Sequence, residues 1–193
     1  MTIGKTKAIV GTMFAGKTTL LQNLYTSYDR VEKFYPVAFK PKRNTRDKKG
    51  KIVSHDNNYI HATEVELGWD IVYEYVQCKQ LKDLGEDIKF IVFIDEAQFF
   101  EEELLMVIEY LNSKGADVIC SGLNLDRFGK PFGIMPSIMA VADEVVYLKA
   151  ICSCGNEAYV SYGKNVSSGE QVAVGGKEEY EPLCKTCFYN LQT

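Results

Sequence analysis

From residue 7 to about 149, short apolar runs alternate with longer segments of helical period. Ala8-Ile9-Val10 is continuously apolar and reads as a buried strand; Thr19 to Tyr25 follows, with Leu20, Leu21 and Leu24 on one helical face. Pro36 to Phe39 predicts a second, parallel strand, and the alternation in Thr63 to Leu67 predicts a short third one. Asp70 is placed to cap a helix in which Ile71, Val72, Tyr75, Val76 and Lys79 recur at helical spacing, with a stop near Leu84-Gly85. Phe90 to Ile94 is apolar without a break, as in a central strand buried on both faces. Glu101 to Ser113 predicts a helix with three acids in its first turn, an apolar face of Leu104, Leu105, Val107, Ile108 and Leu111, and a stop at Lys114-Gly115. Asp117 to Gly122 is another buried strand, Leu123 to Gly133 a polar loop at its carboxyl end, Met135 to Ala142 a helix and Glu144 to Leu148 a last strand. Such alternation predicts an open α/β sandwich around a mostly parallel sheet, without internal repeats.

Composition narrows this little. The 193 residues suit one domain with a small appendage, and 46% hydrophobic with 25% charged residues is ordinary for a globular chain. A formal net charge of −4 argues against a dedicated nucleic-acid binder. Met1 to Lys7 lacks the apolar core of a signal peptide, and no run approaches the roughly 18 apolar residues of a membrane span. A cytoplasmic protein with neither membrane nor nucleic acid as partner is therefore expected. His55 and His61 have no partner in sequence that suggests a triad and are read as structural; Cys78 and Cys120 are read as core.

Two stretches carry chemistry. Gly11-Thr12-Met13-Phe14-Ala15-Gly16-Lys17-Thr18 fits G-x-x-x-x-G-K-[ST] and stands between a predicted strand and a predicted helix, the context this phosphate-binding motif requires. Backbone N–H groups turn inward around an anion there, and the helix start adds positive potential. Lys17 would reach the β- and γ-phosphates and the Thr18 hydroxyl would ligate Mg²⁺. Asp95-Glu96 closes the central strand, at the sheet end where ligands bind, so Asp95 would hold Mg²⁺ largely through water. The fold class is accordingly P-loop NTPase-type (RecA-like). Lys40 to Lys51 contains seven basic residues and one acid, Asp47, with no hydrophobic period; it reads as a mobile loop, either a solvated surface or a flap that brings Arg46 to the phosphates. Asp56 either assists at the metal or nucleotide or caps a turn.

From Ala150 the pattern changes. Cys152-Ser153-Cys154 and Cys184-Lys185-Thr186-Cys187 bracket a 29-residue interval, and two close cysteine pairs in a reducing compartment predict a structural, tetrahedral Zn²⁺ site. Four thiolates leave no open catalytic position; the metal would fasten a segment too small to hold its own core. Between the pairs, Glu170 to Gly176 suggests a hairpin or an extended loop, either a plain ribbon or a lid over a small substrate. Residues 151–193 hold three Lys against five Glu, which disfavours a nucleic-acid-binding ribbon.

The chain resembles the type II (cytosolic) thymidine kinases over nearly its whole length. The resemblance rests on Gly11 to Thr18 with Met13-Phe14 inside it, on Ile94 to Phe100, on Lys130-Pro131-Phe132-Gly133, and on the order of phosphate loop, acid strand and cysteine-pinned tail. It implies transfer of the γ-phosphoryl of ATP to the 5′-hydroxyl of deoxythymidine, with Mg²⁺ and a structural zinc. Glu96 would be the general base, and ATP would contact Gly11 to Thr18 and Asp95, Glu96, Ala97 and Gln98. Met13, Phe99 and Phe128 would wall the base, backbone groups of Gln171, Val172, Ala173, Val174 and Gly175 would read it, and Tyr180 would close the sugar side; whether Arg127 or Phe128 faces the base is open. Asn44 stands where the family has an acid, while Arg46 is retained. A core of residues 1–149 with a zinc-pinned lid of 150–193, a homotetramer and inhibition by dTTP are also implied. A different class, a nucleic-acid-driven ATPase, takes support from the helicase-like Asp95-Glu96-Ala97-Gln98, but helicases pair two such domains and this length suits one. A nucleoside monophosphate kinase would carry its cysteines in mid-chain.

Overall fold

A computed structural model describes residues 2–42, 49–54, 56–81, 87–164 and 179–191. The strands are β1 (Thr6–Gly11), β2 (Phe34–Pro41), β3 (Lys51–Val53), β4 (Tyr59–His61), β5 (Thr63–Val65), β6 (Lys89–Ile94), β7 (Asp117–Gly122), β8 (Glu144–Leu148), β9 (Val160–Gly163) and β10 (Tyr180–Leu183). The helices are α1 (Lys17–Asp29), α2 (Gly68–Leu81), α3 (Glu103–Ser113), α4 (Met135–Val141) and α5 (Lys185–Asn190).

Six strands form one sheet in the order β5-β2-β6-β7-β1-β8, and every pairing in it is parallel. The expected α/β class is therefore found. Each central strand is apolar on both faces because helices cover both. Val92 and Ile94 of β6, Val118 and Cys120 of β7 and Ala8 and Val10 of β1 face α2, α3 and α4, where Ile71, Tyr75, Leu104, Leu111 and Ile138 meet them. Ile91, Phe93, Ile119 and Ile9 face the other way, against Leu21, Leu24 and Tyr25 of α1 and against Ile52 and Ile60 of the β3–β4 hairpin. Strand alternation thus sorts one apolar run into two cores. Burial pushes the Cys120 thiol up to about 12, so it is an inert core group, as expected.

Several boundaries differ from the sequence reading. Asp70 is not the N-cap: α2 begins at Gly68, and the Asp70 carboxylate reaches back to accept from the N–H groups of Glu66 and Leu67, both at 3.0 Å. That is the returning half of a capping box, which places the acid inside the first turn. Helix α3 starts at Glu103, so only one of the three acids lies in its first turn. Lys40 to Lys51 is not one loop. Lys40 is the last residue but one of β2 and fully buried, its ammonium 3.3 Å from Glu64 Oε1, and Lys51 opens β3. Glu64 also accepts from Gly50 N–H at 3.1 Å, and these partners hold its carboxyl below the usual range although burial opposes them. Asp56 is exposed in the β3–β4 turn, and His61 is exposed, its ring edge-on to Tyr59. Arg46, Asn44, His55, the Leu84-Gly85 stop and Gln171 to Gly175 lie outside the described residues.

Among the described residues, no helix is long and apolar enough to cross a membrane. Past β8, β9 and β10 pair antiparallel as a separate two-stranded ribbon, and α5 packs against it through Phe188.

Candidate active site

The carboxyl ends of β1, β6 and β7 open onto one cleft, lined by Met13, Phe14, Gly16, Lys17, Thr18, Thr19, Asp95, Glu96 and Leu123. Strand β1 delivers the chain into the phosphate loop at Gly11, where φ is 148° and an added Cβ would lie 1.8 Å from the Leu148 carbonyl oxygen; only glycine lets β1 and β8 approach so closely. Phe14 and Gly16 take left-handed φ values of 64° and 85°, which turns the loop back on itself before α1 starts at Lys17. Lys17 Nζ donates to the Thr12 carbonyl at 2.8 Å, curling over the loop. The Thr18 hydroxyl donates to Asp95 Oδ2 at 3.4 Å. A hydroxyl and a carboxylate meeting at the head of a phosphate loop are the oxygen donors that suit Mg²⁺.

Glu96 follows Asp95 in a left-handed conformation, φ 53° and ψ 40°, which is unfavourable for a non-glycine residue by about 1–2 kcal/mol. Surrounding contacts fix it there. Its N–H donates to Asp95 Oδ1 at 3.0 Å, and the Gln98 amide donates to Glu96 Oε2. Gln98 is buried, and its own carbonyl accepts from Leu123 N–H at 3.1 Å, tying the turn after β6 to the end of β7. Gly133, at φ 49°, crosses so near that a Cβ would lie 2.1 Å from the Gln98 carbonyl oxygen. Strain held by such a frame is common where a side chain must be aimed at chemistry.

Next to this polar wall stands an apolar one. Met13, Leu123, Phe132 and Tyr180 form a buried cluster with Phe14 and Phe99 partly buried against it, and Phe99 meets Phe132 edge-on at 5.7 Å. Met13, Phe99 and Tyr180, three of the residues named for the substrate, are thus packed together. Phe128 is not with them: it is 46% exposed, with the Arg127 guanidinium 4.6 Å from its ring centre. The cause is local. Asp126 Oδ1 accepts from the N–H groups of Phe128 and Lys130, both at 2.9 Å, and the tight turn so made sends Phe128 outward, buries Arg127 and returns Phe132 to the cluster. Leu123 and Phe132 were missed in the sequence, although Phe132 lies inside a stretch that carries the resemblance. Of the expected ATP contacts, Ala97 is buried in the sheet's core and Gln98 acts on Glu96; neither lines the cleft.

The cysteine pairs converge. The four sulfurs of Cys152, Cys154, Cys184 and Cys187 all lie within 4.8 Å of one another, with Cys154 Sγ 3.6 Å from Cys184 Sγ, and none of the four is in a disulfide. Tetrahedral zinc with bonds of about 2.3 Å places its sulfurs slightly under 4 Å apart, so the cluster fits that ion. Cys154 lies in the tight turn closed by Gly155 N–H on the Cys152 carbonyl; Cys184 caps α5, its sulfur accepting from Cys187 N–H at 3.5 Å. Backbone N–H groups of Cys154 and then Cys184 lower the Cys152 thiol to about 6, while hydrogen bonding with Cys154, then Cys184 and Cys152, pushes Cys187 up to about 12. Protons shared among crowded sulfurs are what a divalent cation displaces. The ribbon beneath is joined to the phosphate loop: Met13 N–H donates to the buried Ser161 hydroxyl of β9 at 2.8 Å, and Ala150 N–H donates to Thr12 Oγ1 at 3.4 Å. Nothing in the sequence pattern singled out Ser161.

Comparison with known proteins gives a consistent result. The family model described as thymidine kinase matches residues 4–188. A thymidine kinase of Bacteroides fragilis is 38% identical over 190 residues, an alignment covering 96% of this chain and 87% of that protein. A thymidine kinase of Porphyromonas gingivalis is 36% identical over 187 residues, covering 96% and 85%. One from Aster yellows witches'-broom phytoplasma is 38% identical over 190 residues, covering 94% and 85%.

Proposed function

The chain belongs to the thymidine kinase family, and on that premise we propose that it transfers the γ-phosphoryl of ATP to the 5′-hydroxyl of deoxythymidine, yielding dTMP and ADP. The observation that carries the reading is Glu96: a carboxylate on a left-handed backbone, held by Gln98, in the cleft that Lys17, Thr18, Asp95 and Leu123 also line.

In this scheme the loop amides between Gly11 and Thr18, other than that of Met13, which donates to Ser161, join the Lys17 ammonium in binding the triphosphate and spreading the charge of transfer. Thr18 and Asp95 hold the Mg²⁺ that accompanies ATP, which neutralises charge on the transferring group. Glu96 takes the proton from the 5′-hydroxyl as the oxygen attacks. Met13, Phe99, Leu123 and Phe132 enclose the base and Tyr180 the sugar side; such a wall selects by shape and excludes water. Residues 150–193 act as a lid whose base is pinned by structural zinc at the four cysteines, over a nucleotide-binding core of 1–149. Carried over from the family resemblance are base reading by Gln171 to Gly175, feedback inhibition by dTTP and a homotetramer; a cytoplasmic location and the absence of a nucleic-acid partner are kept from the sequence reading, the latter on the net charge of −4 and the acidic tail.

The test is phosphoryl transfer from ATP across a panel of nucleosides with Mg²⁺, with single-stranded DNA as the rival stimulant. Thymidine-dependent ADP release with a 5′-monophosphate product is expected. ADP release driven by DNA and indifferent to nucleosides would overturn the reading.

A further inference from the structure

A buried polar row crosses the carboxyl end of the sheet. Phe39 pairs with Ile94 and Ile94 with Cys120, and Asp95 N–H extends the ladder to the Phe39 carbonyl at 3.0 Å. One residue further along, Lys40 of β2, Asp95 just past the end of β6 and Ser121 of β7 are therefore neighbours, and Ser121 pairs with Ile9 of β1 on its other side. Alternation places all three on the α1 face, the face of Ala38, Phe93, Ile119 and Ile9. Their exposures are 0%, 3% and 0%. Lys40 is engaged by Glu64, and Asp95 by Thr18 and the Glu96 N–H. Ser121 differs: its hydroxyl has no hydrogen-bond partner among the described residues.

A buried hydroxyl without a partner destabilises a fold, and native proteins keep such groups where an ordered water or an ion completes them. Alanine would fill nearly the same space without that penalty, so small size does not explain serine here. The position does. Ser121 stands in the strand between the phosphate-loop strand and the strand that leads into Asp95, on the sheet face that α1 covers, about one strand spacing of roughly 4.8 Å from each neighbour. We propose that Ser121 is a positioning residue for the divalent cation of the nucleotide: its hydroxyl holds a water shared with Asp95 and keeps that carboxylate turned toward Thr18. This inference rests on the reading of Asp95 given above.

Mn²⁺ is the probe, titrated into the full chain saturated with ADP and followed by water-proton relaxation. Ser121→Ala is expected to weaken Mn²⁺ binding about five- to tenfold, to leave metal-free ADP binding within about twofold, and to raise the thermal midpoint of the unliganded protein. Unchanged Mn²⁺ affinity would overturn the proposal; a raised midpoint alone would show the hydroxyl to be only a structural cost. Ser121→Cys, close in volume and weak in hydrogen bonding, supplies the same readout should the alanine variant not fold. Asp95→Asn separates the two levels. A large Mn²⁺ loss in Asp95→Asn with none in Ser121→Ala removes only Ser121, whereas no loss in Asp95→Asn removes the metal reading of Asp95 and this inference with it.

Discussion

The two walls of the cleft are assembled differently. On the phosphate side, Gly11 to Thr18 is one unbroken stretch, and Asp95 and Glu96 are consecutive just past a strand buried in all but its first residue. On the apolar side, Met13, Phe99, Leu123, Phe132 and Tyr180 come from five separate places, the last of them on the ribbon beyond the sheet. The polar wall is thus fixed by the sheet, whose strands pair in register and whose two cores are built of buried apolar side chains. The apolar wall is fixed by turns and by a ribbon with only a small core of its own, Cys152, Val160, Leu183, Cys184 and Phe188. A wall of the first kind fails chemically when one group is changed. One of the second kind fails by loosening, and loosening should appear in substrate affinity first.

Breaking the polar wall at its most strained residue gives the largest effect. Glu96→Gln keeps the shape and the partner Gln98 but removes the proton acceptor. A fall of about 10³-fold in kcat is expected, within the range for general-base removal, with ADP affinity changed less than about twofold. Steady-state kinetics beside calorimetric ADP binding checks it; an unchanged kcat would remove Glu96 from the base role.

The corresponding break on the apolar side is Cys184→Ser. Cys184 is both a candidate zinc ligand and the cap of α5, so its loss slackens the ribbon that carries Tyr180. The thymidine KM should rise at least about tenfold, roughly 1.4 kcal/mol, while ADP affinity changes less than about threefold. Metal analysis of the purified variant is part of the measurement: full zinc content with a normal KM would sink the tethering role.

Phe132→Ala against Phe128→Ala sharpens the comparison within one loop. Phe132 is buried in the cluster and Phe128 is exposed beside Arg127. Removing a buried aromatic wall costs about 2 kcal/mol, near thirtyfold in thymidine KM, whereas Phe128→Ala should stay within about twofold. The reverse order would show that the loop turns Phe128 inward around substrate.

This pair also marks where the sequence stops being informative. The phosphate loop, Asp95-Glu96 and the four cysteines were legible because their chemistry depends on residue type at fixed short spacing, and spacing is what a sequence states. Which aromatic of Phe128 and Phe132 points inward depends on two hydrogen bonds from backbone N–H to one Asp126 oxygen, a geometry that composition does not encode. Lys40 was lost in a run of basic residues because charge suggests solvent; its burial becomes intelligible only when β5 brings Glu64 alongside. The helices were legible by period, but their starts depended on whether an acid caps from outside the first turn or reaches back from within, as Asp70 does.

The smallest expected effect tests whether the two walls are independent at all. Met13 belongs to both: its backbone is part of the phosphate loop and its side chain part of the apolar cluster. Its N–H is taken by Ser161 of the ribbon, at 2.8 Å and out of solvent, so this amide is committed to the ribbon rather than to an anion. Ser161→Ala leaves that donor buried without its partner, a loss of about 1 kcal/mol or roughly fivefold. Because the bond fixes the loop from outside, ADP and thymidine affinities should fall together by similar factors, with kcat nearly unchanged. A fall in thymidine affinity alone would mean that Ser161 only shapes the apolar wall. A shared fall would mean that the cysteine-pinned ribbon sets the conformation of the phosphate loop, so that metal at the four sulfurs and nucleotide at the loop are linked through one hydrogen bond between Met13 and Ser161.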